Sequence, residues 1–265
     1  MRFRFPPLCF ILLLLIALTG CQQLVNPSFP TTPQQADVDL NRMAAAPKKL
    51  DRPLVIVGGF IDPGVAPIMM KWMFQDVFSD DRVIGVPMGL DFSFDGCRDD
   101  LIKAVDERFP CKDPNQTTEV DVIGMSMGGL VARYSASPIK GRKRLNIARL
   151  FTISSPLQGA DSASRFPALH PLMTPMRAGS PFLTQLNATM PSFPVYSYVR
   201  LYDHPVGAQN AALPGRTAWW VSTPWLNDPH NGAFSDERIL ADIARRLRDE
   251  APLAKDPPAP LPAKL

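Results

Sequence analysis

The stretch of sequence that decides the fold is Val120-Asp121-Val122-Ile123-Gly124-Met125-Ser126-Met127-Gly128-Gly129-Leu130. It begins with β-branched residues that are typical of a buried strand, and residues 130–135 continue it with a helical pattern. Between them lies a G-x-S-x-G turn, in which the flanking glycines omit Cβ atoms that would collide with the strand and the helix. The pattern therefore predicts a strand–turn–helix that presents the hydroxyl of Ser126 above a sheet as a candidate nucleophile.

Strand-like and helix-like segments alternate on both sides of this turn. Apolar runs predict strands at 54–57, 83–86, 120–123, 150–153, 195–199 and 218–222, and helical patterns occupy 65–78, 98–109, 130–135 and 236–249. Strands separated by helix-length segments pair in parallel through right-handed crossovers. The sequence therefore predicts an α/β fold over residues 53–250, with a mostly parallel sheet, helices on both faces, and Ser235 as the N-cap of the last helix.

Residues 156–194 interrupt this alternation with many prolines and methionines. They follow a predicted strand, at the edge of the sheet where loops carry function. We expect them to form a lid-like insertion over a pocket.

A family resemblance extends the prediction from fold to chemistry. Gly124 to Tyr134 resembles the G-H-S-M-G-G-L-V-A-R-Y segment of α/β-hydrolase lipases and related acyl hydrolases, and departs from it only at Met125. Phe151 to Ala160 is similar, more loosely, to the family's T-I-G-T-P-H-x-G-S segment. The resemblance implies an α/β-hydrolase fold and a serine nucleophile at Ser126. Its oxyanion-hole donors would be the amides of Met127 and Phe60, since Gly58-Gly59-Phe60 corresponds to the family's H-G-x.

A serine of this kind needs a histidine base, and the chain has three, His170, His204 and His230. In the order that the resemblance implies, the base lies on a loop before the final helix, which selects His230. The acid follows an earlier strand and would orient the imidazole, which favours Asp203. Asp228, two residues from His230, is the alternative acid.

The implied function is hydrolysis of a carboxylic ester, with an acyl ester or lipid as substrate and no metal or organic cofactor. Two alternatives remain, an acyltransferase that uses the same three residues and an inactive hydrolase-fold protein that binds other envelope components. With 28 basic and 25 acidic residues the net charge is +3, which excludes the strongly basic class of nucleic-acid binders.

The N-terminal sequence is typical of an export signal. Two arginines precede an apolar run at 8–18 that is too short to span a bilayer, so residues 1–20 are expected to be a cleaved signal peptide. Leu18-Thr19-Gly20-Cys21 resembles the lipobox of bacterial lipoproteins, which implies a lipid anchor on Cys21. Because Gln22 follows, the resemblance implies the outer membrane, facing the periplasm.

Composition predicts two flexible ends and leaves one disulfide open. Residues 21–52 and 251–265 are rich in proline and small residues, so we expect a tether and a disordered tail. Export permits a Cys97–Cys111 disulfide, but the intervening helix would separate the two cysteines, and two free thiols are the alternative.

Overall fold

The computed structural model describes residues 24–89 and 91–263. Six strands form one sheet in the order β2-β1-β3-β4-β5-β6, and every pair of neighbours is parallel. The strands are β1 Leu54–Val57, β2 Val83–Val86, β3 Val120–Met125, β4 Ile147–Ile153, β5 Val195–Arg200 and β6 Trp219–Val221. Because all six run the same way, their carboxyl ends meet at one edge of the sheet, as predicted for this α/β fold.

Helices cover both faces of the sheet. They are α1 Pro33–Ala45, α2 Val65–Phe78, α3 Phe94–Arg108, α4 Met127–Ala136, α5 Asp161–Arg165, α6 Pro181–Asn187 and α7 Glu237–Leu247. Strand β1 shows the alternation, because Val55 and Val57 pack in the core below α3 and α4 while Leu54 and Ile56 pack in the core below α1, α2 and α7. Side chains of successive strand residues point to opposite faces, so one central strand supports two cores.

The N-terminal segment is folded, so the predicted flexible tether is wrong for residues 24–52. Thr32 and Gln35 form a capping box at the start of α1, in which the Gln35 amide donates to Thr32 Oγ1 at 3.2 Å. Ala36 and Met43, seven residues apart on one face, are buried against α7. Low apolar content misled the prediction because these few residues share a face and meet an existing core.

The C-terminal segment is also packed, so the predicted disordered tail is wrong for residues 251–263. Ala254 is buried, and the indole N–H groups of Trp219 and Trp220 donate to the carbonyls of Lys255 at 3.0 Å and Ala259 at 3.1 Å. Proline removes backbone donors but leaves carbonyl acceptors, so a proline-rich chain can still be tied down by donors from a strand.

Cys97 and Cys111 do not form a disulfide. Cys97 lies in the first turn of α3 and Cys111 beyond its last residue, so the helix separates them. Burial, with a smaller contribution from Asp91, raises the pKa of Cys97 to about 12. Of the two outcomes that the sequence left open, the structure has the free thiols.

Two sequence expectations fall on residues that the structure does not describe. The signal peptide, residues 1–20, and the lipidation site, Cys21, both precede residue 24. Among residues 24–89 and 91–263, no helix is both long and apolar enough to cross a membrane.

Candidate active site

Ser126 occupies the predicted turn between β3 and α4. Its backbone has φ 49° and ψ −124°, a strained conformation for a residue with a side chain. A Cβ at Gly124 would lie 2.4 Å from the Cα of Gly129, and one at Gly128 would lie 2.5 Å from the carbonyl oxygen of Val57. Both glycines are therefore required for the strand and helix to approach this closely, and the predicted strand–turn–helix is confirmed.

The structure brings together the side chains of Ser126, His230 and Asp203, which are far apart in the sequence. His230 Nε2 lies 3.1 Å from Ser126 Oγ, and His230 Nδ1 lies 3.0 Å from each carboxylate oxygen of Asp203. The Asp203 side chain is fully buried, and that of His230 is 12% exposed. The amide of Val206 also donates to Asp203, at 3.1 Å, which fixes the carboxylate.

This arrangement sets the tautomer of the imidazole. A carboxylate accepts hydrogen bonds, so neutral His230 must carry its proton on Nδ1 to donate to Asp203. The lone pair on Nε2 then faces the hydroxyl of Ser126. In this geometry His230 Nε2 can accept a proton from Ser126, and the carboxylate of Asp203 can stabilise the resulting positive charge on the ring.

Two backbone segments flank Ser126 where an oxyanion would develop. Met127 is the first residue of α4, so its amide has no acceptor within the helix. On the other side, the Cβ position of Gly59 lies 3.3 Å from the Cβ of Ser126. The main chain that leads into Phe60 therefore runs alongside the serine, and both residues predicted as oxyanion donors neighbour it.

The remaining histidines and Asp228 lie outside this arrangement. His204 is exposed, and His170 packs between two rings, 5.1 Å from Phe60 and 5.2 Å from Phe92 between centroids. Asp228 accepts the backbone amide of His230 at 2.8 Å rather than its ring. Burial alone would raise the pKa of Asp228, but hydrogen bonds from Asn231 and the backbone amides outweigh it and lower the pKa. Asp228 thus shapes the loop, and Asp203 contacts the imidazole.

An ion network that the sequence did not reveal holds the loop of His230. Arg200, at the end of β5, donates to Asp236 at 2.7 Å and to the carbonyl of Asp228 at 3.4 Å. Arg238 donates to the same carboxylate at 2.7 Å, and all three charged residues are buried. Burial raises the pKa of Asp236, but Arg238 and Arg200 outweigh it, so the pKa is lowered. The network holds the loop on both sides of its short 3₁₀ turn, Asn231–Ser235, because Asp228 precedes this turn and Asp236 follows it.

The start of α7 corrects one local prediction. Asp236, not Ser235, is the N-cap, because its carboxylate accepts the amide of Arg238 at 3.1 Å. The sequence signal for this role was the aspartate that directly precedes the helix, since aspartate is a favoured N-cap residue.

A cavity of about 830 Å³ opens beside Ser126 and His230. Its walls come from the loop after β1, from α2 and from the 156–194 segment. Most of the wall is apolar, formed by side chains that include Met69, Met73, Phe166, Leu169, Met173, Met176 and Phe234. The volume is in the range of small-molecule sites, and the lining favours an apolar ligand.

A family model and several solved structures are similar to this chain, and they support the same fold. Residues 99–165 match the family model of the PGAP1-like alpha/beta domain, which covers a minority of the chain. No curated protein sequence matches the chain. Among solved structures, a gene product of Listeria innocua is similar over 76% of this chain and 95% of its own, at 13% identity and a TM-score of 0.50.

Two enzymes are similar to the same degree. Phospholipase PlaB from Legionella pneumophila has 11% identity and a TM-score of 0.50, over 77% of this chain and 59% of its own. The propeptide form of lipase BlEst2 from Bacillus licheniformis has 14% identity and a TM-score of 0.51, over 83% of this chain and 54% of its own. The chain thus spans little more than half of either enzyme. At these identities the similarity shows the fold, and this chain has the α/β-hydrolase fold.

Proposed function

We propose that this protein is a serine hydrolase that cleaves carboxylic esters. The observation that carries the proposal is the position of His230, 3.1 Å from the hydroxyl of Ser126 and 3.0 Å from the buried carboxylate of Asp203. An activated nucleophile, a base and an orienting acid are the groups that a serine hydrolase uses for acyl transfer to water.

In the proposed mechanism, Ser126 Oγ attacks the carbonyl carbon of the ester while His230 Nε2 accepts its proton. Asp203 holds the ring and stabilises its positive charge. The amides of Phe60 and Met127 donate to the oxyanion of the tetrahedral intermediate. His230 then gives the proton to the leaving alcohol, and the acyl-enzyme is hydrolysed when His230 activates a water in the same way.

We infer that the acyl group occupies the apolar cavity, with residues 156–194 as its outer wall. Phe166, Leu169, Met173 and Met176 from this segment face the cavity. Methionine side chains adapt their shape to flexible apolar ligands, which suits an alkyl chain. The segment would act as the lid-like insertion that its composition suggested.

A panel of p-nitrophenyl esters tests the function. We expect turnover that depends on Ser126 and rises from acetate to longer acyl chains as the cavity fills. Ser126→Ala should abolish turnover, while Ser154→Ala, a change at a nearby buried serine outside the proposed triad, should retain it. Turnover that is equal in Ser126→Ala and the unmodified protein would reject the proposal.

We also propose that Cys21 is the lipid attachment site and that the protein faces the periplasm from the outer membrane. The lipobox resemblance supports this. Metabolic labelling with an alkyne fatty acid should mark the protein, and Cys21→Ser should remove the label while Cys111→Ser keeps it. A label that survives Cys21→Ser would contradict the proposal.

A further inference from the structure

Large apolar side chains are exposed on loops at the carboxyl edge of the sheet and on α2, and two of them, Phe166 and Leu169, also line the cavity. We call six of them the apolar rim, Trp72, Phe92, Phe166, Leu169, Trp225 and Leu226. Trp225 is 90% exposed and Leu226 85%, values normal for lysine and unusual for residues of this size. Phe92 stacks on His170 by one ring face but is still 69% exposed, and within residues 24–89 and 91–263 no residue buries the rim.

Topology places the rim on one side of the molecule. Phe92 follows β2, Phe166 and Leu169 follow β4, and Trp225 and Leu226 follow β6. Because the sheet is entirely parallel, these loops leave the same edge. Trp72 extends the rim along α2, on the helix face where Val65 and Met69 already line the cavity.

The path of the chain supplies the direction of a membrane. Asn26 is pinned to the domain, since its side chain donates to the carbonyl of Trp220 in β6 at 2.6 Å. Only residues 22–25 separate it from Cys21, so a lipid on Cys21 would lie within roughly 18 Å of Asn26. Strand β6 leads directly to Trp225 and Leu226. The short connection would therefore hold this side of the domain close to the bilayer.

We propose that the apolar rim docks on the surface of a phospholipid bilayer, so that the mouth of the cavity opens toward the lipid. This inference rests on the proposed ester hydrolase function and lipid anchor. The rim comes from three separate loops at one edge of the sheet and from α2, which suits a broad apolar surface better than one peptide or helix. Tryptophan and phenylalanine at its border are residues that favour the membrane–water interface. Substrate would then reach Ser126 from the membrane.

Lipid-dependent fluorescence tests the docking without requiring catalysis. An environment-sensitive fluorophore is attached at Trp72→Cys or Leu226→Cys in a Cys111→Ser background of the mature lipidated protein, in which Cys9 has been cleaved off and Cys21 is acylated, in phosphatidylethanolamine–phosphatidylglycerol vesicles. The matched control is Met190→Cys, which is 48% exposed and precedes β5 at the opposite edge of the sheet. We expect blue-shifted emission that spin-labelled lipid quenches at 72 and 226 but not at 190.

Three outcomes would overturn the proposal. Equal quenching at 190 would mean that no one face is oriented toward the bilayer. An absence of quenching at 72 and 226 would mean that the rim stays in water. A blue shift without quenching would mean that a protein surface, from this chain or another copy, covers the rim.

A charge variant separates docking from catalysis. Trp225→Asp together with Leu226→Asp should lower turnover of a vesicle-embedded ester at least about tenfold, because apolar contact with lipid is lost. Turnover of soluble p-nitrophenyl acetate should stay the same, since neither residue lines the cavity. If the protein turns over neither ester before mutation, the hydrolase proposal fails while the fluorescence result still decides the docking. Unchanged vesicle turnover in the double variant, with Met190→Asp as control, would contradict it.

Discussion

Two regions of the molecule are built largely from irregular chain but differ in backbone strain and in how their side chains are paired. One is the carboxyl edge of the sheet. The other is the terminal layer, which we define as residues 24–52 together with residues 251–263. At the carboxyl edge, Ser126, Tyr202 and Leu226 have positive φ, and large apolar side chains face solvent. In the terminal layer, hydrogen-bond donors and acceptors are paired, and opposite charges form ion pairs. Asp39, for example, forms ion pairs with Arg42 and Arg245.

Backbone strain in this fold lies at the carboxyl edge of the sheet, and the terminal layer adds stability. A strained backbone persists only where surrounding structure over-determines it, and it concentrates at functional sites. The terminal layer supplies part of that surrounding structure by sealing the outer face of α7, the helix that follows the loop of His230. Changes at the edge should therefore reduce activity, and changes in the layer should reduce stability.

The largest effect is expected at Asp203. Asp203→Asn should lower ester turnover by about 10⁴-fold, because an amide no longer fixes the productive tautomer of His230. Steady-state kinetics and thermal unfolding are measured together, with Asp228→Asn, a carboxylate on the loop of His230 that does not contact the imidazole, as the matched control. The control should lose much less activity. A comparable loss in both variants would mean that loop shape, not the carboxylate of residue 203, carries the effect.

Asp236 links the two regions, and its effect on stability depends on pH. Removing the buried charge leaves Arg200 and Arg238 unpaired, so Asp236→Asn should cost about 3–5 kcal/mol of unfolding free energy at pH 7. The pKa of Asp236 is lowered from its ordinary 3.8 in the folded protein. Its stabilisation is therefore complete above about pH 4 and is lost as pH falls through the lower folded value.

Urea unfolding at neutral and acidic pH measures this dependence. The gap between the original protein and Asp236→Asn should narrow below the ordinary pKa of 3.8. Asp249→Asn, at an exposed carboxylate, is the control and should cost less than about 1 kcal/mol. A gap that widens in acid would contradict the sign.

Met43 tests the terminal layer alone. Met43→Ala removes a fully buried side chain between α1 and α7 and should cost about 2–5 kcal/mol of unfolding free energy. Ester turnover at a temperature well below unfolding should stay the same. Val38→Ala, on the exposed face of the same helix, should change stability by less than about 0.5 kcal/mol. If Val38→Ala and Met43→Ala changed the unfolding free energy equally, residues 24–52 would be a loose tether and not a packed layer.

The smallest effect is expected at the start of α1. Thr32→Ala removes the capping-box acceptor for the Gln35 amide and should cost about 1 kcal/mol. Hydrogen exchange should show faster opening of α1 and no change at the carboxyl edge. Faster hydrogen exchange around residue 126 in Thr32→Ala would contradict this expectation, because it would show that opening of α1 also loosens the carboxyl edge.

Local sequence was enough to predict what depends on local structure. The turn at Ser126 could be recognised because glycines on both sides of one residue have a single geometric use there. His230 and Asp203 could be placed because the family resemblance implies the order serine, acid, histidine along the chain. All six strands were predicted within a few residues of their observed bounds.

What could not be predicted depends on partners distant in the sequence. Arg200 and Asp236 are ordinary charged residues until the fold places them 2.7 Å apart. Met43 contributes to a core only because α7 presents a complementary face. Composition gives the amount of apolar surface in a segment, but it does not show whether another segment of the fold will bury that surface. For this reason the predictions of a flexible tether and a disordered tail were wrong.

In the proposed mechanism, Ser126 is a nucleophile activated by His230. The most direct measurement is labelling with a fluorophosphonate probe, followed by peptide mass mapping. One adduct is predicted, on the peptide that contains Ser126, absent in Ser126→Ala and greatly slowed in His230→Ala. An adduct on another residue, or labelling at the same rate without the imidazole of residue 230, would contradict the claim.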